Sequence, residues 1–254
     1  MNRGEHRRMA EVEDAHFWYR GLRDLLVRTL TSAALPPRPR VLDVGCGTGA
    51  NLRAIGGALR TSYLGGFDLS TEALALARLK APEADLYQSD LRAPGLRMPQ
   101  LDLVTCLDVL YVPGVAGCID GLATLVDALA PGGHFVMQVP AYEWLYSEHD
   151  VAVHGTERYT AGGVRRLLAQ LGLEPLQVTY RLCGLFPLAV LSRLPRMLGA
   201  RRRNPSARSD LHSVPGPALN EALYRVLAAE NRVLVRGVAL PFGTSVFAVA
   251  RRPT

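Results

Sequence analysis

The sequence contains little cysteine, and its cysteines are isolated. Cys46, Cys106, Cys118 and Cys183 lie far apart in a chain of 254 residues, and no two of them have the spacing of metal ligands. Three of the four stand in apolar segments, where a thiol usually serves as a small core residue. This usage favours a reducing, cytoplasmic location.

The sequence also lacks a long uninterrupted apolar segment. The longest candidate, from Leu182 to Leu198, is broken by two prolines and two arginines, and it does not predict a membrane span. The N-terminus leads into charged residues rather than an apolar stretch, so no secretory signal is predicted. We therefore expect no stable membrane insertion.

What the chain does have is enough apolar residues, 48% of the total, for a substantial core. Its net charge of +6 comes largely from short arginine clusters at 7–8, 201–203 and 251–252. Such clusters are more often solvated surface than a patch for nucleic acid or acidic lipid, and no nucleic-acid partner is expected.

From residue 40 onward, short apolar segments alternate with amphipathic stretches of helical length, which predicts parallel strands joined by covering helices. The predicted strands are 40–44, 62–68, 85–88, 102–107, 134–139, 175–181 and 244–251, and the predicted helices are 49–59, 71–80, 116–130 and 162–171.

The same pattern divides the chain into four regions. Residues 1–36 predict an N-terminal helical lid, because apolar and aromatic residues recur at helical spacing until a proline cluster. Residues 37–181 predict the core and 242–254 its final strand. The intervening residues, 182–241, exceed what a simple doubly wound sheet needs and predict a helical cap.

Three glycines, Gly45, Gly47 and Gly49, follow the first predicted strand and precede a helix, where a backbone can turn tightly against a ligand. Alone they are ambiguous, because they also fit a dinucleotide fingerprint, with Asp68 about 20 residues on to hold a ribose. Asp43 is the discriminator. In a dinucleotide site the carboxylate of Asp43 would face the negatively charged pyrophosphate, which is unfavourable. The same carboxylate suits a ligand with a cationic amino acid portion and no phosphate, such as S-adenosylmethionine (SAM).

In this loop and in four further motifs the sequence resembles the class I SAM-dependent methyltransferases. The motifs are Val41–Gly49, Gly66–Ser70, Gln88–Leu91, Leu101–Leu110 and Leu129–Phe135, so the resemblance runs across most of the chain. It implies an α/β, Rossmann-like sheet of seven strands with helices on both faces. It also implies SAM as the methyl donor and S-adenosylhomocysteine (SAH) as the product.

The resemblance also implies roles for individual residues. The three glycines and Cys46 would pass under the cofactor, with Asp43 near its amino group. Asp68, followed by Leu69, would accept from the ribose hydroxyls. The adenine would meet Asp90 and Leu91, and the methionine side would meet Leu107 and Asp108.

The stretch His16-Phe17-Trp18-Tyr19 resembles the start of type 11-like methyltransferases, whose N-terminal helix folds over the cofactor. Trp18, Tyr19 and Arg23 are therefore expected to cover SAM or to pair with its carboxylate; alternatively, Phe17 and Trp18 only anchor the helix. The chain departs from this group after the fourth strand, where Tyr111-Val112 replaces a frequent Glu-His pair. Tyr111 is a catalytic candidate, although the departure puts an acid–base role at this point in doubt.

Methyl transfer mainly requires an acceptor atom held in line behind the sulfonium and shielded from water. A hydroxyl or acidic carbon acceptor would benefit from a general base, for which His149 is favoured over His154. The predicted pocket walls are Tyr142, Trp144, Tyr146, Arg158 and Tyr159. The histidines could equally be structural and the aromatics could only pack the lid. The spacing of this acidic and histidine-rich segment matches no known metal-ligand pattern, and no metal is expected.

The sequence thus predicts a methyltransferase, monomeric or homodimeric, acting on a small molecule through oxygen, nitrogen or carbon in a biosynthetic pathway. The apolar start of the cap suits a hydrophobic acceptor or a membrane surface, but equally a dimer interface or plain core. Two alternatives remain: a nicotinamide-dependent oxidoreductase, and a SAM-binding protein that catalyses a non-methylating reaction such as cyclisation. A nucleic-acid methyltransferase is disfavoured, because Leu107–Leu110 lacks the Asn/Asp-Pro-Pro-aromatic signature of base amino methylation.

Overall fold

Seven strands form one sheet in the computed structural model, which describes residues 4–112, 114–115, 118–147, 150–151, 155–197 and 213–254. The strands are β1 (Arg40–Val44), β2 (Tyr63–Asp68), β3 (Asp85–Gln88), β4 (Leu101–Leu107), β5 (Leu129–Pro140), β6 (Glu174–Arg181) and β7 (Ser245–Arg251). Their order is β3-β2-β1-β4-β5-β7-β6. All neighbours are parallel except β7, which is antiparallel to both β5 and β6.

The helices within the described residues cover both faces and the carboxyl edge of this sheet. They are α1 (Glu5–Val12), α2 (Phe17–Ser32), α3 (Ala50–Ala58), α4 (Thr71–Lys80), α5 (Ile119–Asp127), α6 (Ala161–Gln170), α7 (Phe186–Met197) and α8 (Pro217–Leu234). None of the helices in this part of the chain is long and apolar enough to cross a membrane.

The core consists of two apolar layers, one on each face of the sheet. Successive residues of β1 alternate between them: Val41 belongs to one layer, and Leu42 and Val44 belong to the other. Side chains on a strand alternate between faces, so a parallel strand covered on both sides reads as a continuous apolar run. This is why the strands of the core could be located from the sequence.

The strand order reverses between β1 and β4, since β2 and β3 lie to one side and β5, β7 and β6 to the other. In open α/β sheets, ligands bind at the carboxyl ends of the strands beside such a reversal. The topology therefore places a crevice where the loops after β1 and β4 separate.

The N-terminal region differs from the single helical segment expected between residues 11 and 30. It forms two helices, α1 and α2, and His16 stands at the junction. The imidazole Nδ1 of His16 accepts a hydrogen bond from the backbone N–H of Trp18 at 3.2 Å and so caps α2. The first helix was missed because its buried residues, Glu5 and His6, are polar.

Two other boundaries also differ from the sequence prediction. Strand β5 begins at Leu129 rather than at residue 134, because Leu129 already pairs with Leu101 of β4. Helix α5 spans Ile119–Asp127 instead of 116–130, and residues 116–117 lie outside the described part.

The region between β6 and β7 was expected to form a helical cap, and it contains α7 and α8. Helix α8 packs against α2 at Gly21, where an added Cβ would lie 2.7 Å from Leu227. At the same place the side-chain amide of Asn231 donates to the carbonyl of Gly21 at 2.8 Å. The insertion is thereby fixed to the N-terminal region rather than standing apart from it.

Candidate active site

A cavity of about 1120 Å³ opens at the carboxyl edge of the sheet. Its walls come from the loops after β1, β2, β3 and β4 on one side and from the segments after β5 and β6, α7 and the start of β7 on the other, with α1 and α2 above. We call these the β1 side and the β6 side, and Asp108, directly after β4, lies at the boundary between them.

On the β1 side the glycine loop turns through the left-handed region, with φ of 64° at Gly45, 54° at Gly47 and 84° at Gly49. A Cβ on Gly45 would lie 2.5 Å from Cγ2 of Val109, and one on Gly49 would lie 2.9 Å from Cα of Ala77. These positions therefore require glycine for both conformation and space. Gly45, Gly47 and Cys46 line the cavity, whereas Gly49 starts helix α3 outside the lining.

Asp68, at the end of β2, is held rigidly beside this loop. Its Oδ2 accepts a hydrogen bond from the backbone N–H of Gly47 at 3.0 Å, and its Oδ1 accepts from Ser70 N–H at 2.8 Å. A carboxylate oxygen has further lone pairs for a ligand hydroxyl. Asp68 and Leu69 both line the cavity.

Asp43 lies beneath the loop, 2% exposed and outside the cavity lining. The hydroxyl of Thr105 donates to its Oδ1 at 2.5 Å, but its buried Oδ2 has no hydrogen-bond partner among the described residues. Burial raises the pKa of Asp43 to about 7, with Asp68 nearby adding to the rise and Thr105 opposing it. A ligand cation close to the loop would stabilise the ionised form of this carboxyl.

Asp90 and Leu91 follow β3 and line the cavity. The Arg92 guanidinium donates to both oxygens of Asp90, and the Arg92 N–H donates to Oδ1 at 2.9 Å. These bonds hold the pKa of Asp90 below its usual range. The carboxylate therefore stays an acceptor at neutral pH.

The N-terminal helices close the β1 side from above. Trp18, Tyr19 and Arg23, the residues expected over the cofactor, line the cavity. Arg23 Nη2 donates to the carbonyl of Glu13 at 2.6 Å, and the carboxylate of Glu13 accepts from the Thr48 hydroxyl at 2.5 Å. The lid is thus tied to the glycine loop.

Glu13 also forms an ion pair with Lys80 of α4. Three residues of α1 that the sequence did not single out, Glu5, His6 and Met9, line the cavity as well. Their spacing of three and four residues was the available signal, but it was hidden by the polar character of the helix.

At the boundary between the two sides, Asp108 has a φ of 55° and faces the cavity together with Leu107 and Tyr111. Burial raises the pKa of Asp108 to about 6, and the Gln138 amide, which donates to its Oδ2 at 2.7 Å, opposes this rise. Burial also raises the pKa of Tyr111. The phenol of Tyr111 is therefore neutral at ordinary pH and would serve as a hydrogen-bond donor rather than as a base.

On the β6 side the polar groups are committed to one another. Arg158 lines the cavity, but two of its nitrogens hold Asp150 at 2.9 Å each and the third donates to the carbonyl of Ala141. The guanidinium of Arg193 donates to the carbonyl of Leu145 at 2.9 Å. The aliphatic members of the lining on this side are Leu145, Leu182, Leu185, Leu188 and Ala189.

Four predicted wall residues, Tyr142, Trp144, Tyr146 and Tyr159, do not line the cavity. Tyr142 stacks on Tyr180 and on Trp144, with ring centroids 5.0 and 5.7 Å apart. The hydroxyl of Tyr146 donates to Gly155, and that of Tyr159 to Leu110. These stacking contacts and hydrogen bonds stabilise the segments that surround the cavity. His149 and His154 lie outside the described residues.

Comparison with known proteins bears directly on this arrangement. A family model described as a methyltransferase domain matches residues 15–188, more than half of the chain. The chain belongs to the methyltransferase-domain family. The prediction of a class I methyltransferase that uses SAM is confirmed at the level of the family.

Curated relatives align with part of this methyltransferase. A ubiquinone biosynthesis O-methyltransferase of Alkalilimnicola ehrlichii is 39% identical over 103 residues, which are 38% of this chain and 40% of that protein. The biotin biosynthesis bifunctional protein BioCD of Bordetella avium is 32% identical over 137 residues, which are 53% of this chain and 29% of that protein. The chain thus spans about two fifths or less of the length of these relatives.

Solved structures confirm the fold class. A SAM-dependent methyltransferase from Mesorhizobium loti has a TM-score of 0.57 at 21% identity, covering 88% of this chain and 95% of that one. The [4+2]-cyclase SpnF has a TM-score of 0.58 at 18% identity, covering 91% and 82%. At such low identity the likeness shows a shared fold only.

The residues of the β1 side fit the cofactor that the family implies. A buried carboxyl oxygen of Asp43, without a hydrogen-bond partner among the described residues, stands under the glycine loop, and the loop leaves no room for a Cβ at Gly45. When ionised, this carboxyl disfavours a pyrophosphate, whereas the cationic amino group of SAM would stabilise its ionised form. The same observation opposes the nicotinamide alternative.

Proposed function

We propose that this chain transfers a methyl group from SAM to a small, largely hydrophobic acceptor, most directly to a hydroxyl oxygen. The observation that carries the proposal is a single cavity with the carboxylates of Asp68 and Asp90 on its β1 side, an aliphatic cluster on its β6 side and Asp108 between them. When bound, SAM supplies a methyl group on a positively charged sulfur.

The residues of the β1 side would hold the cofactor. Asp68 would accept hydrogen bonds from the ribose hydroxyls and Asp90 from the adenine amine. Asp43 and Asp108 would provide negative charge near the amino acid portion. Trp18 and Tyr19 would cover the cofactor from α2 and exclude water, which strengthens every electrostatic contact beneath them.

The β6 side would select the acceptor. Its arginines, Arg158 and Arg193, are already engaged by protein groups, so the surface left for a ligand there is mainly the aliphatic lining. Binding would then rest on buried apolar area, with few polar groups to fix orientation. Catalysis would consist largely of holding the acceptor atom in line.

A hydroxyl acceptor is favoured because two of the curated relatives are named as ubiquinone biosynthesis O-methyltransferases. The cytoplasmic location, the choice between monomer and homodimer and the lack of a nucleic-acid partner remain predictions from the sequence. The roles of His149 and His154 as bases and of the four aromatic wall residues as substrate contacts also remain predictions.

Two measurements test the proposal. Calorimetric titration with SAH and with NADH should show binding of SAH alone; binding of NADH without SAH would contradict the proposal.

A transfer assay with methyl-labelled SAM should then move label to an alkyl-substituted phenol more readily than to the same phenol bearing a carboxylate. Release of methylthioadenosine without labelled acceptor would instead support a non-methylating reaction.

A further inference from the structure

A series of hydrogen-bonded polar side chains runs from β6, an edge strand of the sheet, to Asp108. Arg181, the last residue of β6, donates from Nη1 to Oε1 of Gln138 in β5 at 3.1 Å. Gln138 in turn donates from Nε2 to Oδ2 of Asp108 at 2.7 Å. Strand β7 lies between β5 and β6, so the Arg181 side chain reaches past a whole strand to make this contact.

The chemistry of the three groups fixes the direction of the central amide. A guanidinium has only donors and an ionised carboxyl has only acceptors. Gln138 must therefore turn its oxygen to Arg181 and its NH₂ to Asp108. A reversed amide would place its NH₂ group against the guanidinium and its oxygen against the carboxylate. Both contacts would leave buried polar groups without a hydrogen bond, which is costly.

Arg181 is fully buried, and its Nε and Nη2 have no hydrogen-bond partner among the described residues. Burial lowers the pKa of Arg181 to about 10, while Glu230, Asp108 and Asp24 oppose the decrease. The guanidinium is therefore still a cation at neutral pH. A buried cation at this position is expensive, and the carboxylates of Glu230 and Asp108 offset part of that cost.

Apart from Arg181, the described groups whose pKa Asp108 affects carry no charge at neutral pH. Tyr19 comes from α2, Tyr111 follows β4, and Cys106 lies within β4; burial raises the pKa of all three, with Asp108 itself adding to the rise. Arg181 is thus the charged group that favours the carboxylate form of Asp108 in the described part of the chain.

We propose that Arg181 is a positioning residue for the methyl-transfer site: through Gln138 it keeps Asp108 ionised and aimed into the cavity where the β1 and β6 sides meet. This inference rests on the proposed function for its purpose. The relay itself, however, belongs to the protein alone and can be measured without any cofactor.

The primary experiment is a carbon-13 NMR titration of aspartate carboxyl groups in the protein without cofactor, with the Asp108 signal assigned by its loss in Asp108→Asn. In Gln138→Met and in Arg181→Met, we expect the proton affinity of Asp108 to rise about tenfold, the usual scale for loss of a charge-assisted contact. Arg181→Lys retains the charge and should restore much of the original titration.

Thr179→Val is the matched control, since Thr179 lies two residues earlier in β6, is buried, and accepts a hydrogen bond from Leu240 N–H rather than touching Asp108. It should weaken folding but leave the titration of Asp108 unchanged. If Arg181→Met also leaves that titration unchanged, the role of Arg181 is refuted, whatever Gln138→Met shows. If Arg181→Met fails to fold, Arg181→Gln, which keeps a polar side chain but removes the charge, decides the matter by the same criterion.

A second readout connects the relay to the site. The affinity for SAH, measured by calorimetry at pH 6 and pH 9, should fall several-fold in Gln138→Met at pH 6 and much less at pH 9, because high pH ionises Asp108 without help. Equal losses at both pH values would contradict the proposal. Should the unmodified protein not bind SAH at all, the proposed function fails, while the NMR titration still decides whether the relay exists.

Discussion

The two sides of the cavity are built in different ways. On the β1 side, the ligand-facing positions are set by backbone geometry: Gly45 and Gly47 adopt left-handed conformations, and Asp68 is held by two backbone N–H groups. On the β6 side, the aliphatic part of the lining consists of ordinary side chains, such as Leu145 and Leu188, from elements far apart in the sequence.

This difference explains why the cofactor was easier to infer than the acceptor. A left-handed turn under a ligand admits few residue types, so it leaves a recognisable sequence. An aliphatic wall admits many residue types and is indistinguishable from core or interface in the sequence. Methyltransferases can therefore share the first side and vary the second.

The largest expected effect comes from testing whether the backbone geometry of the β1 side is required for cofactor binding. Gly45→Ala places a Cβ 2.5 Å from Cγ2 of Val109 at a φ of 64°, and we expect SAH affinity to fall about 100-fold, equivalent to about 3 kcal/mol. Gly57→Ala is the control, because nothing lies within 4 Å of the added Cβ in α3. Comparable affinity in both variants, measured by calorimetry, would show that the loop does not need glycine.

A second prediction separates binding from stability at Asp43. Burial raises the pKa of this carboxyl to about 7, so between its ordinary value and about pH 7 the folded protein binds more protons than the unfolded chain. Stability should therefore decrease as the pH rises through this range.

Asp43→Asn should remove that decrease and raise the free energy of unfolding at pH 8 by about 2 to 4 kcal/mol. The same change should weaken SAH binding about tenfold through loss of the anion. Urea denaturation at pH 5 and pH 8 checks the first point and calorimetry the second. A destabilised variant at pH 8 would show that the carboxylate is compensated in the folded protein.

A third prediction tests the aliphatic side. Leu188 and Leu191 lie on α7 with the same exposure, 59%, but Leu188 lines the cavity and Leu191 does not. Leu188→Glu should raise KM for an apolar acceptor about tenfold, since about 1.4 kcal/mol of apolar contact is replaced by a charge. SAH affinity should not change. Leu191→Glu should affect neither quantity, and equal effects of the two variants would argue against selection by this wall.

The smallest effect concerns His16, whose role on the β1 side is indirect. Its imidazole caps α2, so His16→Ala should cost about 1 kcal/mol of stability and His16→Asn should cost little. Burial lowers the pKa of His16 to about 4, so the unfolded chain binds more protons between about pH 6.5 and 4 and stability falls as the pH falls through this range. His16→Asn should flatten that acid-side decline in thermal denaturation, and an unchanged profile would exclude His16 as its source.

The fold was largely predictable from the sequence where the burial of a strand face alone required an apolar residue. Val41, Leu42 and Val44 alternate between two covered faces, and such strands are recognisable as apolar runs. The N-terminus was predicted as a helical lid without its division into two helices, because Glu5, His6 and Glu13 are buried by tertiary contacts rather than by apolar character. The ion pair of Glu13 with Lys80 joins residues 67 positions apart, which no local pattern can indicate.

The candidate site divides in the same way. Asp68 and Asp90 could be placed because Asp68 ends its strand and Asp90 lies two residues after the end of its own. Tyr142 and Trp144 are equally close to the end of a strand, yet they pack on each other outside the cavity. Arg181 was not singled out, since an arginine at the end of a strand is normally exposed.

The sequence by itself determined the order of the strands, the glycine loop and the acidic residues proposed to hold the cofactor, because each depends on a short segment with its own steric or electrostatic requirement. Only the tertiary structure decided which aliphatic residues line the β6 side of the cavity and which buried cation stands behind Asp108. Those positions result from segments far apart in the chain meeting across the sheet, and the free energy of such contacts is shared among residues whose types are common everywhere in proteins.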